Sequence, residues 1–424
     1  MNEDFLHFVW QNKLFQPGNL LTTDGQKLEI IHPGIINKDA GPDFFNAKIK
    51  INNTLWAGNV EIHSAETDWY NHKHHTDGAY NNVILHVVQS GNGNTLTSSG
   101  REVPVWQMTL SDQLTAKYQS LFFNDKWIAC EDQLSTIDPM VLSQWIDRIL
   151  VERLEEKNEL INQLLKTHKN NWDQVFFILL SRSFGFGVNG LPFEMMAKQT
   201  PLKFILKHSD NIKQTEALLF GQAGFLLNIQ SKDEYTTNLQ KEYEFLKHKY
   251  NLKPIEGHIW KFAKMRPSNF PTVRLAQLAM LLHQNKGSFE KILSDINAKT
   301  FVNLLNIKAS DYWNNHYQLG NPSKKEAPKH LGTSSAQRIL YNTVYPYLFV
   351  YFHKNNLQNR KEILVESLYK QTTEKNSITI NWEKAGVKIE NEAQAQSLIF
   401  LKNRYCNHKK CLNCRIGHKV LSRN

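Results

Sequence analysis

The sequence predicts an α+β protein: an N-terminal mixed sheet with flanking helices, followed by a larger all-α body with a C-terminal cysteine metal cluster. Three observations predict it. Between residues 27 and 110, short runs rich in β-branched and aromatic side chains are bounded by Pro33-Gly34, Asn52-Asn53 and Gly91-Asn92-Gly93 turn signals. From about residue 136 the apolar residues recur at i, i+3, i+4 instead. Near the C-terminus, Cys406, Cys411 and Cys414 fall in a C-x4-C-x2-C pattern.

Each element follows from its local pattern. Residues 3–15 place Phe5, Phe8, Val9, Trp10 and Phe15 at helical spacing, which predicts an opening helix. Strands are expected over 27–32, 45–51, 55–63, 83–88 and 103–110, and one helix over 68–82. The order α-β-β-β-α-β-β makes a mixed sheet and not a doubly wound dinucleotide domain. Beyond it, breaks at Asn189-Gly190, Pro254, Pro267 to Pro271 and Asn321 to Pro328 separate pairs of helices. Three regions result: a head over 1–135, a basic helical domain over 136–400 and a Cys-rich staple over 401–424.

Charge divides along the same line. Residues 1–135 hold nine Lys/Arg against fifteen Asp/Glu, and 136–424 hold 41 against 25, within a net charge of +10. An acidic head concentrates cations and a basic body attracts polyanions, which suits a metal-dependent enzyme acting on nucleic acid, DNA before RNA. The first residues have neither a basic leader nor an apolar core, and no stretch reaches the ~18 apolar residues of a membrane span. A cytoplasmic location is therefore expected, with no membrane partner. Four cysteines in 424 residues do not make a disulfide framework.

The chemistry is most legible between residues 41 and 63. Pro42-Asp43 stands at the entry of one strand and Glu61-Ile62-His63 on the next, where Glu61 and His63 share a face and Ile62 turns to the core. Two carboxylates converging from adjacent strands hold a hard cation such as Mg²⁺ or Mn²⁺, which activates a water, with His63 as the group that orients or deprotonates it. Pro42-Asp43…Glu61-Ile62-His63 resembles the PD…(D/E)-x-K signature of the restriction-endonuclease-like nuclease superfamily, and the strand order resembles its core. The resemblance implies metal binding by Asp43 and Glu61 and hydrolysis of DNA or RNA phosphodiesters. His63 stands where that signature has lysine, with Lys48 or Lys50 as alternative cations. The departure opens a second reading, an inactive nuclease fold that binds nucleic acid or serves as a scaffold.

More broadly, GPDF, GNVEIH, DWYNHKHH, YNNVILHVV and the terminal cysteine pattern resemble an uncharacterised bacterial family known only as a domain of unknown function. His72, His74, His75 and Asp77 crowd beside the carboxylates; on a helix His72 and His75 share a face and could join the site. The three C-terminal cysteines, with Cys130 as the favoured fourth ligand over His408 and His418, are expected to hold Zn²⁺ or an iron–sulfur cluster. This arrangement resembles the iron–sulfur staple of AddB-type recombination nucleases, although there the lone cysteine precedes the nuclease motifs and here it follows them. Lys264, Arg266 and Arg274 around a Pro-constrained turn, and Arg404, Lys409 and Lys410 around Tyr405, are the expected nucleic-acid contacts.

Overall fold

The computed structural model describes the chain apart from residues 1, 17, 228, 230–232, 287–295, 374 and 423–424. It divides into two compact units: Met1–Ile146 with Ser377–Lys388 and Ile399–Asn424, and Asp147–Asn376 with Ile389–Leu398.

The first unit is built on a mixed sheet. Helix α1 (Glu3–Gln11) is capped by the Asn2 side chain and buries Phe5, Leu6, Phe8, Val9 and Trp10. It stops short of residue 15 because Lys13 takes a left-handed φ of 50°. Strands β1 (Leu20–Leu21), β2 (Lys27–His32), β3 (Ile35–Ile36), β4 (Phe44–Ile51), β5 (Thr54–Ala65) and β6 (Val83–Ser90) follow; after them come β7 (Thr95–Leu96), β8 (Glu102–Val103) and β9 (Val105–Gln107). The main sheet runs β1-β2-β4-β5-β6-β9 with β3 also on β4, while β7 and β8 pair separately. The expected run over 103–110 is split at Pro104, which lacks the N–H that a continuous strand needs.

Antiparallel pairing from β1 to β5 gives way to parallel pairing of β5 with β6 and of β6 with β9. This switch decides burial. The first half of β5 is mostly exposed, whereas Val60, Glu61, Ile62 and His63 are all buried, as are all residues from Val83 to Val88 on β6. A central parallel pair is covered on both faces, so the side of β5 that carries Glu61 and His63 is interior as well as the side that carries Ile62. Gly58 permits the approach, since a Cβ there would lie 2.5 Å from the Ile84 side chain and 2.6 Å from the Asn82 carbonyl.

The second unit is largely helical, with one small ribbon of His316–Gln318 against Asn321–Pro322. Helices Trp172–Phe184 and Pro271–Gln284 are apolar on nearly every side and sit at its centre. A mixed sheet with flanking helices and a large helical region are thus present. No helix among the described residues is long and apolar enough to cross a membrane.

Candidate metal centre

A β-bulge places Asp43. Two residues of β4 oppose one of β5 between the Phe44–Val60 and Ala47–Gly58 pairs, and Asn46 takes the positive φ that the bulge requires. Asp43 is thereby carried across to Glu61: its N–H donates to Glu61 Oε2 at 3.0 Å, and its Oδ2 accepts from the Ile62 N–H at 2.9 Å. The two acidic residues converge, but each carboxylate is engaged by the other's strand.

The histidines assemble around the other oxygen of Glu61. Its Oε1 lies 3.2 Å from His74 Nε2 and 3.5 Å from His63 Nε2. His63 Nε2 is also 3.2 Å from His72 Nδ1. Donor atoms of His63, His72 and His74 all lie within 4.8 Å of one another, the one such group of three or more among the described residues. His74 Nε2 is buried, with the Glu61 carboxylate as its polar neighbour. Tyr80 stacks on His74 with centroids 3.8 Å apart, closing that side.

The expected helix over 68–82 does not form. Helix α2 is only Asp68–Asn71, and Lys73 turns left-handed at φ 63° before two short 3-10 turns. The break shifts the phase, so His72 meets His74 and not His75. Behind His63 stands a buried file: His63 Nδ1 is 2.9 Å from His86 Nε2, and His86 Nδ1 is 2.9 Å from Thr95 Oγ1. Burial, then the neighbouring histidines, bring His63 and His86 down to about 3, so both rings are neutral. Burial lifts the Glu61 carboxyl above its ordinary range. For His7 of α1, Nε2 3.1 Å from Asp43 Oδ2, burial lowers the pKa, but Asp43, with Glu3 and Asp4 behind it, holds it above its usual value.

Several expectations are corrected here. The expected Mg²⁺ or Mn²⁺ site on Asp43 and Glu61 is replaced: among the described residues the metal-capable group of three is made of imidazole nitrogens and includes neither carboxylate. Lys48 and Lys50 pair with Ala57 and Leu55, at the exposed end of β5 away from Glu61. The cysteine cluster for zinc or an iron–sulfur group is overturned as well, and with it the cysteine staple of the expected fold. Cys130, Cys406, Cys411 and Cys414 are free thiols and do not make a ligand group of the kind the histidines make. Burial first, and then one another, push Cys406 up to about 12, Cys411 up to about 11 and Cys130 higher still. They pack as small neutral side chains. Arg274 is buried, its guanidinium bonded to Gln277, Asn269 and Ser335 and lying over Phe186, which removes it from the solvent-facing contacts. Lys264, Arg266, Arg404, Lys409 and Lys410 are exposed.

Compared with known proteins, residues 3–377 match the family model described as Protein of unknown function (DUF2851). The chain belongs to that family. No curated protein matches, and no solved structure matches, so nothing in the comparisons ties the chain to the restriction-endonuclease-like nucleases.

Proposed function

Starting from a family without an assigned activity, we propose that the head is a metal-dependent hydrolase of phosphodiesters, with its ion on His63, His72 and His74 and its water oriented by Glu61. The observation that carries it is the triad itself, three imidazoles whose donor atoms lie within 4.8 Å of one another, two of the rings buried. The 3.2 Å between His63 Nε2 and His72 Nδ1 is close to the roughly 3.3 Å edge of a tetrahedron with Zn–N bonds of about 2.0–2.1 Å. Three imidazoles suit a zinc-type ion and leave a fourth position for water. Such an ion lowers the pKa of its water and offsets charge on a phosphoryl oxygen.

The protein groups complete the arrangement. Glu61, its carboxyl raised by burial and facing His63 and His74, is the protein group placed to accept the proton of that water. Asp43 holds Ile62 through its backbone N–H and so fixes the strand from which Glu61 projects. Phosphodiesters are the substrate class favoured by the basic 136–424 region.

The test is metal uptake followed by turnover. Apo protein titrated with Zn²⁺ takes up one ion per chain, and His74→Ala loses it. The loaded protein hydrolyses bis(p-nitrophenyl) phosphate and oligonucleotides, and Glu61→Gln keeps the ion but loses ~100-fold or more in rate. Failure to bind an ion, or an unchanged rate in Glu61→Gln, overturns the proposal; nucleic-acid binding without cleavage favours the scaffold.

A further inference from the structure

One face of the main sheet is covered at one end and open at the other. Strand β5 runs its whole length without an extra residue, because the two register shifts beside it fall on β4 and on β6. Its side chains therefore alternate throughout, and Leu55, Ala57 and Asn59 share a face with Glu61 and His63, opposite the buried Val60 and Ile62. His72 and His74 cover that face at His63 and Glu61. Toward the other end of β5 the face is bare. Lys50 pairs with Leu55 on one side and with Glu29 on the other, and Lys48 pairs with Ala57, so all of these lie on it; Lys27, two residues before Glu29, joins them. Leu55, Ala57, Lys48, Lys27 and Glu29 are exposed and Lys50 is half-buried.

The charge of this face is opposite to that of the head around it. Residues 1–135 hold nine Lys/Arg against fifteen Asp/Glu, yet three of the nine stand here, and Glu29 is the one acidic residue on β2, β4 and β5 short of Glu61. Among the described residues, Lys27, Lys48 and Lys50 make no ion pair within 4 Å. Such a strip is complementary to a polyanion, and it would repel a second copy of itself. A strand of nucleic acid follows a narrow strip, whereas a broad anionic surface would also meet the acidic remainder of the head.

We infer that this face is the track on which a nucleic-acid strand lies as it reaches the metal-capable site, with Lys48 and Lys50 holding its phosphates. The inference rests on the hydrolytic reading above and adds where the rest of the substrate is held. Lys48 stands opposite Ala57, roughly 13 Å along β5 from Glu61, and Lys50 is roughly 7 Å further out. They hold phosphates beyond the one that is cut. The apolar side chain between the lysines and the site end is the aliphatic Leu55, not an aromatic ring, so charge and not base stacking carries the binding.

Binding is measured on the full chain in EDTA with a fluorescent single-stranded 20-nucleotide DNA over a range of salt concentrations, so that neither ion nor turnover contributes. The strand binds, and Lys48→Glu and Lys50→Glu each weaken it and reduce the slope of log affinity against log salt by about 0.7, with circular dichroism unchanged. Lys126→Glu alters the charge of the head equally but lies outside the sheet, and it keeps the wild-type slope. A wild-type slope in both sheet variants overturns the inference, as does an equal loss in Lys126→Glu, which would assign the effect to overall charge. Displacement of the strand by phosphatidylserine vesicles as effective as by unlabelled strand overturns it too, in favour of a membrane surface. Ion uptake is measured separately: strand binding that depends on Lys48 and Lys50 with no ion taken up would sink the hydrolytic reading and leave this one standing, and turnover with a wild-type slope in both variants would do the opposite.

Discussion

Thr95 Oγ1 and His86 Nδ1 lie 2.9 Å apart at the closed end of a buried file that runs on through His63. Neutral imidazole carries one N–H, so the file has a direction. With an ion on His63 Nε2, the Nδ1–H of His63 donates to His86 and the Nδ1–H of His86 donates to Thr95; without one the chain can run in reverse.

Thr95→Val keeps the shape and removes the acceptor. Groups that orient a metal-ligating histidine typically cost 10- to 100-fold in affinity when lost. Zn²⁺ affinity measured by competition with a chromophoric chelator is expected to fall by about that factor, with little change in far-ultraviolet circular dichroism. An unchanged affinity would mean that the file does not set the His63 tautomer.

The turn at Lys73 separates two neighbours with different fates. His72→Ala is expected to reduce Zn²⁺ affinity by ~100-fold or more, as a ligand loss exceeds the loss of an orienting group, whereas His75→Ala leaves it unchanged. Isothermal titration of both variants checks this. Equal losses would mean that His75 reaches the ion and that the helical spacing described the site after all.

Glu216 makes stability pH-dependent. It is 1% exposed, accepts from Ser310 Oγ at 2.7 Å, and is raised by burial to about 7. Because the folded pKa is above the unfolded one, its stabilising share is whole below about 4.5 and is lost as pH rises through about 7. The loss is on the order of 3 kcal/mol. Urea unfolding at pH 5 and pH 8 is expected to show it, and Glu216→Gln, which cannot ionise, is expected to be the more stable form at pH 8. A wild-type slope retained in the variant would assign it to other groups.

Arg274 serves packing. Its bonds to Gln277 and Asn269 are 3.0 and 2.6 Å, in a helix that is almost wholly buried. Arg274→Met is expected to lower unfolding free energy by about 2–3 kcal/mol and to leave the salt dependence of oligonucleotide binding unchanged. Lys410→Glu should do the reverse, reducing the slope of log affinity against log salt by about one phosphate contact. A changed slope in Arg274→Met would place that residue back among the polyanion contacts.

Much of the head was legible because strands advertise themselves locally. The runs around 27–32, 45–51, 55–63 and 83–88 became β2, β4, β5 and β6, with ends displaced by a residue or two, since hydrogen bonds and not hydropathy set the last paired residue. The convergence of Asp43 on Glu61 was also readable, being the consequence of a hairpin. His7 and Thr95 gave no signal, one on a helix far earlier in the chain and one on a two-residue strand. His74 stood in the crowded DWYNHKHH string, but its partner was misassigned because a single left-handed residue resets helical phase.

By itself, the sequence determined which stretches would pair as strands, where the chain turns basic and helical, and which acidic residues a hairpin would bring together, because these depend on neighbours a few positions apart. Only the tertiary structure decided that the imidazoles, and not the thiols, form the metal-capable group, and that Arg274 is buried. Spacing along the chain limits which donors can meet; the packed backbone fixes whether their atoms approach within one ion's reach.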